Sequence, residues 1–244
     1  MKKLAASLLI LTLSVASLVL LNRAGISARK ELQPFPLARE RFPAFLVKRT
    51  VDTYALWKEK QVHGRVVVHL GKYLHFMESE PPGTTLIPEV VKYHSHFDDT
   101  QTSYKNFLWT ALQTNIAREI ITVIPPEDFK IRFALPKGSP VRSDVSGHEY
   151  GSLRTFTTRL PSGTEPILLN IDASFFSSTE PDKLLDSLLK SALKADLVTI
   201  CLAEDNPDVT VSDRQKLLEF VKLLSQHAEV RPFVPSSKSI AVPQ

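Results

Sequence analysis

The chain has 244 residues, 43% hydrophobic and 23% charged, with a formal charge of +4 and a pI near 9.1. These values belong to a folded protein and exclude a disordered one, and Lys and Arg are scattered among acids, which argues against nucleic-acid binding. Eight glycines against 17 prolines, with no G-x-G-x-x-G or G-x-x-x-x-G-K-[ST] run, exclude a glycine-rich phosphate loop, and the single cysteine, Cys201, excludes an intrachain disulfide.

Lys2 and Lys3 precede an uncharged stretch from Leu4 to Leu21, whose 18 residues make about 27 Å of helix, enough to span a bilayer core. The expectation is a signal-anchor over residues 1–21, with its short basic end inside and the domain on the non-cytosolic side of the membrane. Cleavage of a signal peptide and secretion is the alternative, with Ile26, Ser27 and Ala28 the fairest small-residue match. Residues 22–48 contain Pro34, Pro36 and Pro43 and more basic residues than Glu31 and Glu40 balance, which reads as an extended basic stalk.

From residue 49 to 244 one α/β domain is expected: helical segments alternate with short apolar runs, the pattern of a mainly parallel central sheet in a three-layer sandwich. "VDTYALWKEK" (51–60) reads as a helix and "RVVVHL" (65–70), continuous and β-branched, as a strand covered on both faces. "YKNFLWTALQTNIA" (104–117) follows as a helix and "EIITVI" (119–124) as a strand that Pro125 and Pro126 stop. "KIRFAL" (130–135) is an additional strand, and "PKGSPVRSDVSGHEYGS" (136–152) a loop by composition. "PILLNIDASFF" (166–176) is a second central strand. The next helix takes Thr179 as N-cap, with Pro181 in its first turn; "DLVTICLA" (196–203) is a strand, and the last helix opens on Ser212 and Gln215 in capping-box spacing.

Ligands of such sheets bind outside the carboxyl ends of the strands. Two such ends collect polar residues: His69, Gly71, Tyr73 and His75 at alternate positions, and Asn170, Asp172 and Ser174 likewise. Alternate residues on a strand share a face, so each set could converge. Tyr73, Asn170, Asp172 and Ser174 are the ligand-binding candidates. A divalent metal, Zn or Mn, would use His69, His75 and Asp172 or, in "YHSHFDD", His94, His96 and Asp98, whose His-x-His spacing puts both rings on one side of an extended segment.

"HLGKYLH" (69–75) and "NIDASFFSSTEP" (170–181), with "SYKNFLWTALQTNIAREIITVIPPEDF" (103–129) between them, resemble the uncharacterised relatives of the arginase and histone-deacetylase superfamily. The likeness covers roughly Trp57 to Leu224. It implies a parallel sheet between helices and a metal at the strand ends, held by a His-x-Asp-x-His-x-Asp-like motif and an Asp-x-Asp-x-Asp-Phe-Phe-Ser-like motif. His69 and Asp172 match those motifs, whereas Gly71, Tyr73, His75, Asn170 and Ser174 stand where carboxylates or an imidazole would be. A hydrolytic centre needs several such ligands to hold its ion and acidify a bound water. The resulting expectation is a membrane-anchored domain with a degenerate metal site and no cofactor, a binding module for a small molecule or protein. An active metal-dependent C–N bond hydrolase and a lumenal sugar transferase are the alternatives.

Overall fold

The structure, a computed structural model, describes residues 32–38, 41–75, 99–125, 127–128, 143–145, 148–151 and 165–236. The expected anchor at Leu4–Leu21, the candidates His94, His96 and Asp98, and the strand at 130–135 lie outside the described residues. Among the described residues no helix is long and apolar enough to cross a membrane.

The elements, in order, are β1 (Phe35–Pro36), β2 (Phe42–Val47), α1 (Thr50–Glu59), β3 (Arg65–Leu70), a 3-10 turn (Asp99–Gln101), α2 (Phe107–Gln113), β4 (Ala117–Val123), β5 (Ser143–Val145) and β6 (His148–Gly151). They continue with β7 (Ile167–Asp172), a 3-10 turn (Ala173–Ser177), α3 (Pro181–Leu189), β8 (Lys194–Cys201), α4 (Val211–Leu224) and β9 (Ala228–Pro232). The strands form one sheet in the order β5-β6-β4-β3-β7-β8-β2-β9, with β1 beside the start of β8. Seven of them, β6 through β9 in that order, run parallel; β5 and β1 pair antiparallel. The fold is therefore α/β on a mainly parallel sheet.

Strands β3 and β7 lie next to each other at the centre, and every residue of β7 is buried. This is why their sequences are continuous apolar runs and not alternating ones. Helices α1 and α2 pack on each other, as do α3 and α4. Trp57 of α1 meets Phe107 of α2 (ring centroids 6.2 Å apart), and Phe220 of α4 meets Phe176 (5.5 Å).

Several boundaries differ from the sequence reading. The compact unit starts at Pro34, and Phe42–Val47, expected in the stalk, is strand β2, inserted between β8 and β9. Pro43 is tolerated there because pairing with β8 begins only at Ala44, opposite Val198, so its missing N–H removes no ladder bond on that side. Part of the expected loop at 136–152 forms β5 and β6. The N-cap of α3 is Glu180, not Thr179, since Pro181 takes the first helical position. The capping box of α4 is Thr210 with Asp213, not Ser212 with Gln215: Thr210 Oγ1 accepts from Asp213 N (3.1 Å) and Asp213 Oδ2 from Thr210 N (3.0 Å).

Gly64 links α1 to β3 in the left-handed region (φ +61), and a Cβ there would meet nothing within 4 Å. Gly64→Ala is therefore a pure backbone substitution, expected to cost about 1 kcal/mol in urea unfolding.

Candidate functional site

The connections leaving β3 and β7 diverge, since β3 leads to β4 on one side and β7 to β8 on the other. Divergence of neighbouring strands opens a crevice at their carboxyl ends, where doubly wound sheets hold ligands. The two polar stretches singled out in the sequence meet there, because His69 and Asn170 are register partners.

A polar row crosses the sheet at this level. Thr122 pairs with His69, His69 with Asn170, and Asn170 with Thr199, and all four residues are fully buried. Asn170 Nδ2 donates to His69 Nδ1 (2.8 Å), which leaves the ring proton on Nε2. Trp57 Nε1 donates to Thr199 Oγ1 (3.2 Å), closing the row under α1. Two residues earlier on the same face, Val67, Leu168 and Leu197 form a purely apolar row, so polarity rises toward the crevice.

Past Leu70 the chain leaves the sheet, and the expected alternation through Tyr73 and His75 is lost. His75 instead adopts a left-handed conformation (φ 53) and turns its ring back toward His69, centroid to centroid 5.2 Å. Both rings lean on Phe107, at 5.9 and 4.8 Å. His75 Nδ1 donates to the Tyr104 carbonyl. Each imidazole thus has one nitrogen committed inside the protein.

On β7, Asp172 follows Asn170 on the same face and is register partner to Cys201. Its Oδ1 accepts from Ser174 N (2.9 Å), and this cap turns the chain into the 3-10 turn. Ser174 is consequently not a strand residue as expected; its hydroxyl instead accepts from Lys72 N (3.0 Å), tying the two sides of the crevice together. Asp172 Oδ2 is buried, and among the described residues no hydrogen-bond donor reaches it. Burial pushes the carboxyl up to about 6 against the opposing effect of Ser174; Asp205 adds to the rise and Arg214 opposes it. Burial likewise pushes the Cys201 thiol well up, so it is an inert core group.

The rim consists of residues that sequence reasoning missed. Lys72 Nζ pairs with Asp128 Oδ1 (3.1 Å), and Ser177 Oγ donates to Asp128 Oδ2 (2.8 Å). Asp205 accepts from Thr50 N (2.6 Å) and Val51 N (3.3 Å) at the start of α1. Arg214 clamps the loop that carries Asp205 by donating to the carbonyls of Leu202, Ala203 and Asn206. Lys72 follows Gly71 directly and could have been flagged beside it; the separation of 72, 128 and 177 along the chain carries no signal that they meet.

The structure thus brings His69, His75, Asn170, Asp172 and Ser174 together at the carboxyl ends of β3 and β7, all buried. Of the four ligand-binding candidates only Tyr73 is part-exposed; its hydroxyl donates to the Asp208 carbonyl (3.3 Å). Among the described residues no three His, Cys, Asp or Glu side chains are grouped to hold a metal ion. A comparison with protein families and one with curated proteins find no match to this chain.

Proposed function

We propose that this chain is a divergent arginase/deacetylase-like domain of three layers whose β3–β7 crevice binds a small molecule or protein partner without metal-dependent hydrolysis. The three-layer reading rests on connectivity. The steps from β2 to β3 and from β3 to β4 run one way along the sheet, and those from β7 to β8 and β8 to β9 run the other way. With right-handed crossovers, α1 and α2 fall on one face and α3 and α4 on the other. The anchor at Leu4–Leu21 and a non-cytosolic location belong to the same proposal and rest on the sequence.

The observation that carries the functional reading is the pairing of Asn170 with His69. An amide stands where the resemblance puts a carboxylate, and its nitrogen occupies His69 Nδ1. Asp172 is then the one carboxylate among the described residues at the paired strand ends, and a single carboxylate is too few ligands to hold a hydrolytic divalent ion. What the crevice offers from outside is a hydrogen-bonding rim of Lys72, Tyr73, Asp128 and Ser177.

The test is a thermal-shift screen of the full chain against a metabolite library, repeated on Lys72→Ala. The reading expects compounds that raise Tm in the wild type and less in the variant. Turnover of amide or guanidino substrates with added Zn or Mn would contradict it.

A further inference from the structure

We infer that β9 is the interface of a two-fold dimer, in which the strand pairs antiparallel with β9 of a second copy centred on Val230. Strand β9 ends the sheet, and β2 is its one partner among the described residues. The inner side of β9 is fixed by its hydrogen bonds: the His227 carbonyl accepts from Arg41 N (2.6 Å), and Phe233 N donates to the Leu46 carbonyl (2.9 Å). Backbone groups alternate sides along a strand, so the odd-numbered residues face β2 and the N–H and C=O of Ala228 and Val230 face outward, with the Pro232 carbonyl.

A two-fold axis at Val230 matches these groups to their own copies. Val230 exchanges both hydrogen bonds with the second Val230, and Ala228 N–H meets the Pro232 carbonyl of the other copy on each side. Pro232 has no N–H, so the outward carbonyl of each Ala228 takes no bond from the second strand, and the ladder ends with the Ala228 N–H to Pro232 carbonyl bond on each side. The side chains agree with the backbone. Glu229 and Arg231, which pair within the strand at 2.7 Å, come to lie opposite each other's counterparts, so both charges are met in the dimer. Such charges can also serve to keep an edge strand unpaired; here their order is self-complementary about Val230, which favours a copy of the same strand over other partners.

The helix over this edge completes the surface. Lys216 marks the flank of α4 turned toward α3, since it pairs with Glu180 at the start of α3 (2.9 Å). At about 100° per residue, Val211, Leu218 and Val221 fall on the opposite flank, the one that overlooks β9. Val211 and Leu218 are 68% and 48% exposed. Arg231 is level with Phe45 and, through it, Thr199, on the α1 face. Val230 therefore sits on the other face, with α4. Pairing of two β9 strands brings the two apolar α4 flanks together over the Val230 pair.

The test is sedimentation velocity on the full chain in a mild detergent. The wild type is expected to sediment as a dimer, Arg231→Glu as a monomer, and the Glu229→Arg, Arg231→Glu double variant again as a dimer. Leu218→Asp should weaken association at least tenfold. Because the natural cysteine is buried and paired Val230 residues would have Cα atoms about 5.5 Å apart, Val230→Cys should form a disulfide-linked dimer on oxidation. Ser212→Cys, on the far flank of α4, should not. A monomeric wild type, or a dimer that Arg231→Glu and Leu218→Asp leave unchanged, overturns the inference.

Discussion

Gly71→Ala is expected to be among the most damaging single-methyl substitutions in this protein, costing about 3 to 5 kcal/mol in urea unfolding. A Cβ at Gly71 would lie 2.3 Å from His69 Nε2 and 2.8 Å from Cε1. The ring cannot simply swing away. Asn170 holds its Nδ1 at 2.8 Å, and the rings of Phe107 and His75 pack against it. Moving it breaks a buried hydrogen bond and leaves the Asn170 amide unpaired, in addition to the steric cost. The contrast with Gly64, where the added methyl meets only open space, separates contact from backbone conformation. A double-mutant cycle checks the cause: removing the ring with His69→Ala should make the Gly71→Ala cost fall by at least half. Equal costs in both backgrounds would show that the clash is not the reason.

Asp172→Asn is expected to stabilise the fold at pH 7.5 by about 2 to 3 kcal/mol and to remove a slope in stability between roughly pH 4 and 6. The sign follows from the folded protein holding its proton longer. Asp172 titrates near 6 when buried, against 3.8 ordinarily. Between those values the folded state binds more protons than the unfolded one, so stability falls as pH rises and levels off above about 6. An amide keeps the acceptor for Ser174 N and carries no charge to bury. Near pH 4 the two proteins should unfold alike. Denaturant titrations at pH 4, 5, 6 and 7.5 decide the matter, and parallel curves for the two proteins would refute it.

The central strands were legible because burial on both faces leaves an unmistakable apolar run, as in "RVVVHL" and "ILLNID". Capping chemistry was legible only in kind. "TVSDRQ" contains two overlapping boxes, Thr210 to Asp213 and Ser212 to Gln215, and what selects the first is the burial of Asp213, a tertiary fact. Strand β2 was hidden by Pro43 and by Pro34 and Pro36 before it, which compose like a spacer; its place depends on partners β8 and β9, far along the chain. The crevice itself was readable as two strand ends. What could not be read is how its polar atoms are used: that Asn170 turns its amide to His69, that a left-handed His75 folds back, and that Ser174 leaves the strand to accept from Lys72. Those choices are made by strand register and turn geometry.

In the proposed function the ends of β3 and β7 keep their polar groups for one another and for a ligand, and not for a catalytic ion. The most direct test of that reading is elemental analysis of the full chain, purified without chelator and dialysed against Zn and then Mn, beside Asp172→Asn. Far less than one equivalent of either metal is expected in both proteins, which stay folded throughout. A full equivalent in the wild type that Asp172→Asn loses would contradict it and place a metal centre at the ends of β3 and β7.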